Sequence, residues 1–426
     1  MERRGPPAPR AGIRGVSGVT HVVGAGLAGL ACAVKLAQEG RAVALYEAAR
    51  MAGGRCRSYF DPALGLTIDN GNHLLLSGNR AAREYLARIG AADALVGPEH
   101  CVFDFEDFAS GLRWRLAPNA SRLPWWIFVE ERRVPGAKPL DYLGAAKLLY
   151  ARPDATIGET MACSGLLYER LWRPVLLSAL NMEPKQASAA LAGAVLRETL
   201  AAGGDACRPM VAKEGLGRAF IEPALQLLAG LGVDVAFGAR LRGIDFDGAR
   251  ASRLDFGETQ IALGPSDRVV IAAPPWTAAE LVPDLVAPNE FCAILNAHYA
   301  IAPPQGQPLL VGLVGSLSEW LFAFEDRLSV TISGADRLMD EPREDLATRI
   351  WAEVAKVTGL PAALPPWQIV KEKRATFAAT PAQEKRRPGA RTRWDNLLLA
   401  GDWTATSLPA TIEGAIRSGF RAAGLI

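Results

Sequence analysis

The stretch VTHVVGAGLAG, residues 19–29, decides the fold. An apolar run that suits a buried strand is followed by the spacing G-x-G-x-x-G, formed by Gly24, Gly26 and Gly29, and then by residues 30–39, which have helical composition. The first glycine permits a tight turn, the second lets a pyrophosphate approach the backbone, and the third lets the helix pack closely on the strand. This order predicts the start of a dinucleotide-binding domain, with a simple helix-capping turn as the alternative.

Two more elements follow this loop. Residues 41–47 form a second apolar strand that ends in Glu47, where a carboxylate would bind the hydroxyl pair of a ribose. The tripeptide Gly-Gly-Arg, which contains Gly54 and Arg55, comes next. Glycines before an arginine give backbone access and a fixed cation for a diphosphate, whereas a solvated turn with a surface arginine is the alternative.

A matching motif lies at the other end of the chain. Residues 396–403 read NLLLAGDW, a buried strand that ends in Gly401 and Asp402, and residues 409–419 read PATIEGAIRSG, the start of a helix. Together with the two glycine motifs, these segments resemble the FAD-binding amine oxidase and phytoene desaturase superfamily. The resemblance implies that Asp402 lies beside the ribityl and pyrophosphate part of FAD. It also implies that the helix start faces the flavin ring, where its N–H groups would stabilise negative charge.

The predicted cofactor site draws on the whole length of the chain. The resemblance implies that the backbone of Leu241 contacts the adenine of FAD. This residue also fits an ordinary strand in the core. The sequence contains no second G-x-G-x-x-G, so a built-in NADPH site is not indicated and we expect an external electron donor. The residues predicted to contact FAD are Gly24, Ala25, Gly26, Leu27, Ala28, Gly29, Glu47, Gly54, Arg55, Leu241, Gly401, Asp402, Thr411 and Ile412.

The composition is that of an ordinary globular protein. Half of the 426 residues are apolar and 22% are charged, and the net charge of +2 gives no reason to expect nucleic-acid binding. The six cysteines include no C-x-x-C pair and only four histidines are present, so we predict neither a metal site nor a disulfide framework. This cysteine usage favours a reducing cytoplasm. No uninterrupted apolar run reaches about 18 residues, so no transmembrane helix is expected.

The order of the elements predicts an α/β fold. A Rossmann-type FAD-binding domain, with a parallel sheet plus a β-meander between residues 233 and 272, is interleaved with a mixed, largely helical substrate domain. Residues 79–207 in particular are expected to be mainly helical. The predicted boundaries are a disordered tail at 1–18, an FAD-binding domain at 19–78, 208–274 and 392–426, and a substrate domain at 79–207 and 275–391.

The insertions resemble the hydroxysqualene dehydroxylases, also called squalene-associated FAD-dependent desaturases. The likeness lies in residues 69–73 (DNGNH), 171–181 (LWRPVLLSALN), 214–217 (EGLG), 273–276 (APPW), 320–324 (WLFAF) and 367–381. It implies an enzyme of bacterial hopanoid synthesis that converts hydroxysqualene to squalene by hydride transfer from N5 of reduced flavin. The alternatives are a carotenoid-type desaturase or an amine oxidase of the same superfamily, or a non-catalytic prenyl-chain-binding protein, against which the intact nucleotide motifs argue.

No motif fixes the proton donor of such a reaction. His73 is the first candidate, because residues 69–73 follow the Gly-Gly-Arg loop; a structural histidine bonded to a backbone carbonyl is the alternative. Glu413 is the second candidate, since it lies at the flavin-facing helix start. Helix capping is the simpler interpretation of Glu413.

A long apolar isoprenoid substrate needs a tunnel lined by aliphatic and aromatic side chains. Residues 125–129 (WWIFV) and 320–324 would supply this wall, or would simply pack in the core. Residues 122–147 combine aromatic side chains with arginines and lysines, a composition that predicts peripheral contact with the inner face of the cytoplasmic membrane. A loop folded against the substrate domain is the alternative.

Overall fold

The computed structural model of the chain describes residues 18–426, so the predicted tail lies outside the described residues apart from Gly18. The strands of the described part, in chain order, are β1 (Val19–Val23), β2 (Ala42–Glu47), β3 (Ser58–Asp61), β4 (Leu66–Asp69), β5 (Leu75–Leu76), β6 (Leu95–Val96), β7 (Phe103–Asp107), β8 (Arg113–Leu116), β9 (Pro209–Ala212), β10 (Val235–Phe237), β11 (Gly243–Asp247), β12 (Arg250–Asp255), β13 (Gln260–Ala262), β14 (Arg268–Ile271), β15 (Phe291–Tyr299), β16 (Leu310–Val314), β17 (Trp320–Ala323), β18 (Leu328–Ile332), β19 (Trp367–Phe377) and β20 (Leu397–Leu399).

The same part of the chain contains α-helices and shorter helical turns. The α-helices are α1 (Leu27–Gln38), α2 (Arg80–Arg88), α3 (Leu143–Ala146), α4 (Ile157–Thr160), α5 (Arg173–Leu180), α6 (Ala189–Glu198), α7 (Glu222–Gly230), α8 (Pro275–Leu281), α9 (Arg343–Thr358), α10 (Pro381–Glu384) and α11 (Ile412–Ala423). Single 3-10 turns lie at Trp125–Phe128, Glu130–Arg132, Pro139–Tyr142, Lys147–Tyr150, Pro184–Gln186, Leu200–Ala202, Gly204–Ala206 and Ala335–Leu338, and π turns at Tyr168–Trp172 and Gly217–Ile221.

A parallel sheet forms the nucleotide-binding part, with the strand order β10-β2-β1-β14-β20. Its central strands carry runs of Val, Leu and Ile that are buried, as parallel strands covered on both faces require. Because the strands are parallel, the carboxyl ends of β1, β2, β14 and β20 meet at one edge. Ligands of such sheets bind at this edge.

Helix α11 approaches α1 very closely. A Cβ on Gly419 would lie 2.2 Å from the carbonyl oxygen of Ala28, so a larger residue at this position would push the two helices apart. The contact fixes the C-terminal helix beside the glycine loop that begins α1. Residues from the two ends of the chain are thereby brought to one site.

The predicted β-meander is present as three antiparallel strands, β11, β12 and β13. The prediction was wrong for its two flanking segments. Val235–Phe237 pairs in parallel with β2, and Arg268–Ile271 pairs in parallel with β1. Their apolar side chains complete the core of the parallel sheet. The pattern of apolar residues in so short a strand does not show whether the strand pairs in a parallel sheet or in a meander.

A second, seven-stranded sheet has the order β19-β15-β18-β17-β16-β7-β8 and is antiparallel except between β16 and β7. Alternate residues give this sheet two faces. Leu295, Val330 and Leu321 pack with helix α9 on one face. The other face, which includes Trp320 and Phe105, belongs to a continuous core that reaches the parallel sheet.

Residues 79–207 are less helical than predicted. They supply β7 and β8 to the second sheet, because FDFED and RWRL each alternate and so bury one face. All five strands of the parallel sheet lie in the segments assigned to the FAD-binding domain, and all seven of the second sheet lie in the substrate segments. The domain boundaries themselves stay a prediction.

Candidate cofactor and active site

The three glycines of the first loop have different structural roles. Gly24 has a φ of +110° and donates its N–H to the carbonyl oxygen of Tyr46 at 2.7 Å. A Cβ on Gly29 would lie only 1.8 Å from the carbonyl oxygen of Gly24, so this glycine closes the turn. A Cβ on Gly26 would meet no atom within 4 Å. The loop is therefore open at Gly26, where a phosphate can approach the backbone.

A second glycine turn faces the first. Gly53 donates its N–H to the carbonyl oxygen of Ala25 at 2.8 Å. A Cβ on Gly54 would lie 3.6 Å from the Cα of Gly26, so the two turns line the same groove. Backbone groups that converge in this way form a cradle suited to a diphosphate.

Glu47 ends β2 beside this cradle. One carboxylate oxygen accepts the N–H of Ala25 at 2.8 Å, and the other accepts the N–H of Ala49 at 2.8 Å. Each oxygen keeps a lone pair that a ribose hydroxyl can use. Ala239 donates its N–H to the backbone oxygen of Glu47, which places the segment leading to Leu241 along the same side of the groove.

Arg55 connects the second turn to the C-terminal motif. Its guanidinium donates to Asp402 Oδ1 at 2.7 Å and to the backbone oxygen of Ala375 at 2.6 Å. Burial among protein groups lowers the pKa of Arg55, but the Asp402 carboxylate outweighs this effect, so the pKa lies above its ordinary value. The side chain still has 42% of its surface exposed along the groove, whereas that of Asp402 has 6%. A fixed, permanently charged donor thus faces the groove.

The C-terminal motif is held by contacts that the sequence analysis missed. Gly401 donates its N–H to Ser418 Oγ at 2.8 Å, and Thr411 caps α11 by accepting the N–H of Gly414 at 3.0 Å. The buried side chain of Arg387 donates to the backbone oxygen of Asp402 at 3.0 Å. No local pattern marked Arg387, since it is one of several basic residues between 385 and 393.

These groups fit FAD, because two glycine turns, a carboxylate, a fixed guanidinium and a helix N-terminus line one groove. The chain matches the family of flavin containing amine oxidoreductases over residues 27–426. The protein belongs to this family. Its cofactor is FAD, and it is an FAD-dependent oxidoreductase.

Comparison with known proteins narrows the relationship within this family of flavin enzymes. The chain is 56% identical to the hydroxysqualene dehydroxylase of Rhodopseudomonas palustris over 412 residues, which cover 96% of this chain and 99% of the relative. It is 52% identical to the enzyme of the same name from Sinorhizobium fredii, over 95% of this chain and 97% of the relative. Cyclohexylamine oxidase from Brevibacterium oxydans shares the fold, with a TM-score of 0.69, 17% identity and coverage of 96% of this chain and 98% of the oxidase. The predicted resemblance to the hydroxysqualene dehydroxylases is confirmed.

His73 lies between β4 and β5, next to Asn72, whose side chain bonds to Thr331 of the second sheet. Within residues 18–426 no protein group forms a hydrogen bond with its ring, and the role of His73 stays a prediction. Burial lowers the pKa of His73 to about 4, and the positive charge of Arg55 contributes in the same direction. The imidazole is neutral at pH 7 and keeps one N–H donor.

Glu413 is occupied by other groups of the protein. Its carboxylate is 2% exposed and accepts the N–H groups of Ala81 and Ala82 at 3.0 and 2.8 Å, as well as a bond from Arg417 at 2.9 Å. Ala81 and Ala82 lie in the first turn of α2, so Glu413 caps that neighbouring helix. This arrangement favours capping over proton transfer.

The second sheet contributes polar groups that sequence reasoning missed. Asn296 and Thr331 are cross-strand partners on the face toward residues 69–73, and Thr331 Oγ1 donates to Asn296 Oδ1 at 2.8 Å. Next to them, His298 Nδ1 lies 2.8 Å from Ser329 Oγ. Burial lowers the pKa of His298 to about 3. The signal was the alternation of polar and apolar residues in β15 and β18, which places these polar side chains on one face.

Aromatic side chains cover the rest of this face. Trp320 and Phe322 are buried on β17, and Phe105 meets Trp320 edge to face with ring centroids 5.6 Å apart. Residues 125–129, which were predicted to line the substrate tunnel, do not share one environment, because Trp126 is buried and Phe128 is exposed. Within residues 18–426, no helix is both long enough and apolar enough to cross a membrane.

Proposed function

We propose that the protein catalyses the reductive dehydroxylation of hydroxysqualene to squalene in bacterial squalene and hopanoid biosynthesis. The observation that carries this proposal is the high identity, along nearly the whole chain, to two proteins named hydroxysqualene dehydroxylase. The aromatic face of the second sheet supports it, because a long isoprenoid chain needs an apolar wall.

The net reaction replaces a C–OH bond with a C–H bond. A hydride adds to the carbon, a proton joins the departing hydroxyl group, and water leaves. FAD supplies the hydride when it is bound in its reduced form. Because the alcohol is allylic, departure of water leaves a delocalised cation, and the buried aromatic face protects this cation from capture by solvent.

The chain itself positions and polarises the reactants. Arg55 and the two glycine turns would hold the diphosphate, and the N–H groups at the start of α11 would favour negative charge on the ring system. His73 is the proposed proton donor. Because burial keeps the ring neutral at pH 7, the imidazole would donate its N–H proton to the departing hydroxyl group and then recover a proton from solvent.

The electron donor is proposed to be external, because the sequence contains no second dinucleotide-binding loop. Enzyme reduced by dithionite should then convert hydroxysqualene once without added nicotinamide. Tight, saturable binding of NADPH to the purified protein would count against this part of the proposal.

The decisive experiment is an anaerobic single turnover. Enzyme with stoichiometric reduced FAD is mixed with synthetic hydroxysqualene, flavin reoxidation is followed by absorbance, and the product is identified by mass spectrometry. Squalene formed in proportion to reoxidised flavin supports the proposal. Oxidation of a polyene or an amine by the oxidised enzyme, without squalene formation, would instead support the desaturase or amine oxidase alternative.

Peripheral association with an anionic membrane is also proposed. Among the described residues, seven of the 14 exposed large apolar side chains lie between residues 123 and 166, including Leu123 (75% exposed), Phe128 (70%) and Leu140 (76%). Basic residues lie among them, and the guanidinium of Arg132 is 4.8 Å from the centre of the Trp125 ring. An exposed apolar cluster with nearby cations suits the interface of an anionic bilayer, from which an isoprenoid substrate would enter.

A further inference from the structure

Asn72 carries an unsatisfied acceptor at the centre of the polar cluster on the second sheet. Within residues 18–426, its Oδ1 is the one buried side-chain oxygen without a hydrogen-bond partner. Buried polar atoms are paired in the great majority of cases, and each exception calls for a physical reason. The residue as a whole is half-buried.

The surrounding hydrogen bonds fix which atom of the Asn72 amide is left over. Asn296 Oδ1 accepts the backbone N–H of Asn72 at 3.3 Å and the hydroxyl of Thr331 at 2.8 Å. Thr331 has then used its only proton, so its oxygen accepts from Asn72 Nδ2 at 3.1 Å. Reversing the amide would place two acceptors against each other. Oδ1 therefore points away from the network as a free acceptor.

An aromatic side chain adjoins this polar cluster on the same face of the sheet. Trp320 is the cross-strand partner of Thr331, and its indole N–H is likewise buried without an acceptor. Cross-strand partners on one face have Cβ atoms about 5 Å apart, so Trp320 adjoins Thr331, the residue that binds the Asn72 amide. A hydroxyl group is the simplest ligand that satisfies the free Asn72 acceptor, since it donates one hydrogen bond and carries no charge.

We propose that Asn72 Oδ1 accepts a hydrogen bond from the hydroxyl group of the isoprenoid alcohol. This inference rests on the proposed function and adds a specificity-determining residue to it. His73, the next residue, would then face the oxygen that leaves. Because squalene has no hydroxyl, the product leaves Asn72 Oδ1 unpaired again, so the site discriminates substrate from product and favours product release.

The test compares binding of the two ligands to the oxidised holoenzyme. Asn72→Leu keeps the side-chain shape and removes the acceptor, and Asn289→Leu, at an exposed asparagine outside this cluster, is the matched control. Changes in flavin absorbance give the Kd for hydroxysqualene and for squalene in the same detergent. Asn72→Leu should weaken hydroxysqualene about 10-fold to 100-fold and leave squalene unchanged or tighter. The control should change neither Kd.

A second variant keeps the proposal testable if Asn72→Leu fails to fold. Thr331→Val removes the bond that orients the Asn72 amide, so it should weaken hydroxysqualene by a smaller factor while FAD content stays normal. Equal weakening of both ligands, or no change in either, would overturn the assignment of Asn72. The wild-type single turnover separates this result from failure of the proposed function. If the wild-type enzyme forms squalene but Asn72→Leu keeps the wild-type ratio of the two Kd values, only the Asn72 inference is refuted. If the wild-type enzyme forms no squalene, the proposed function is refuted.

Discussion

Replacement of Glu413 with glutamine distinguishes a structural carboxylate from a catalytic one. The carboxylate accepts two N–H groups at the start of α2 and one bond from Arg417, and it is almost fully buried. Glutamine has the same size but only one oxygen, so its NH₂ group must face either a backbone N–H or the guanidinium. At least one buried donor is then left without an acceptor.

The cost follows from these contacts. One buried unsatisfied N–H costs about 1–3 kcal/mol, and loss of a negative charge at the start of α2 adds about 0.3–1 kcal/mol. Arg417 keeps Glu198, with which it forms two hydrogen bonds, so its charge stays paired. We therefore expect a loss of about 1.3–4 kcal/mol in the free energy of unfolding, which lowers Tm by a few degrees.

The assay measures stability and chemistry in one sample. Thermal unfolding is followed at saturating FAD, and single-turnover reoxidation is expressed per bound FAD. Glu413→Gln should lower Tm and leave the rate per bound FAD unchanged. Glu198→Gln is the matched control, since it removes the more exposed partner of Arg417 and should cost less than about 1 kcal/mol. A normal Tm with a rate loss of about 10²-fold would refute this reasoning and make Glu413 the proton donor.

Four further outcomes are expected. Gly26→Val should give apoprotein that is folded by circular dichroism but binds no FAD, because the new side chain fills open space in the groove. Gly29→Val should unfold the protein, because its Cβ would collide with the carbonyl oxygen of Gly24. His73→Ala should slow single-turnover reoxidation per bound FAD about 10²-fold with little change in Tm; a normal rate eliminates His73 as the donor. The unfolding free energy should fall as pH drops from about 6.5 toward 4, because His298 binds a proton in the unfolded chain but stays neutral while it is buried. In urea titrations at several pH values, His298→Gln should flatten this dependence. Phe128→Ser should weaken co-flotation with anionic liposomes at low salt, and absence of co-flotation by the wild-type protein would remove the membrane proposal.

The sequence by itself determined the nucleotide-binding part of the protein. Gly24, Gly26 and Gly29 act within one short loop, and their roles depend on backbone geometry that neighbouring residues dictate. The same holds for β20, the short strand that precedes Gly401 and Asp402. Such features can be predicted because spacing along the chain fixes their local conformation.

Only the tertiary structure decided the partners of residues that are distant in sequence. Glu413 lies at a helix start, where local reasoning allows either catalysis or capping of its own helix, yet it caps α2, more than 300 residues away. Asn72, Asn296 and Thr331 belong to three separate segments, and no spacing in the sequence indicates that their side chains meet. A strand pattern shows which face a side chain occupies. The packing of sheets and helices decides what that face contacts, and therefore which polar atoms stay available for a substrate.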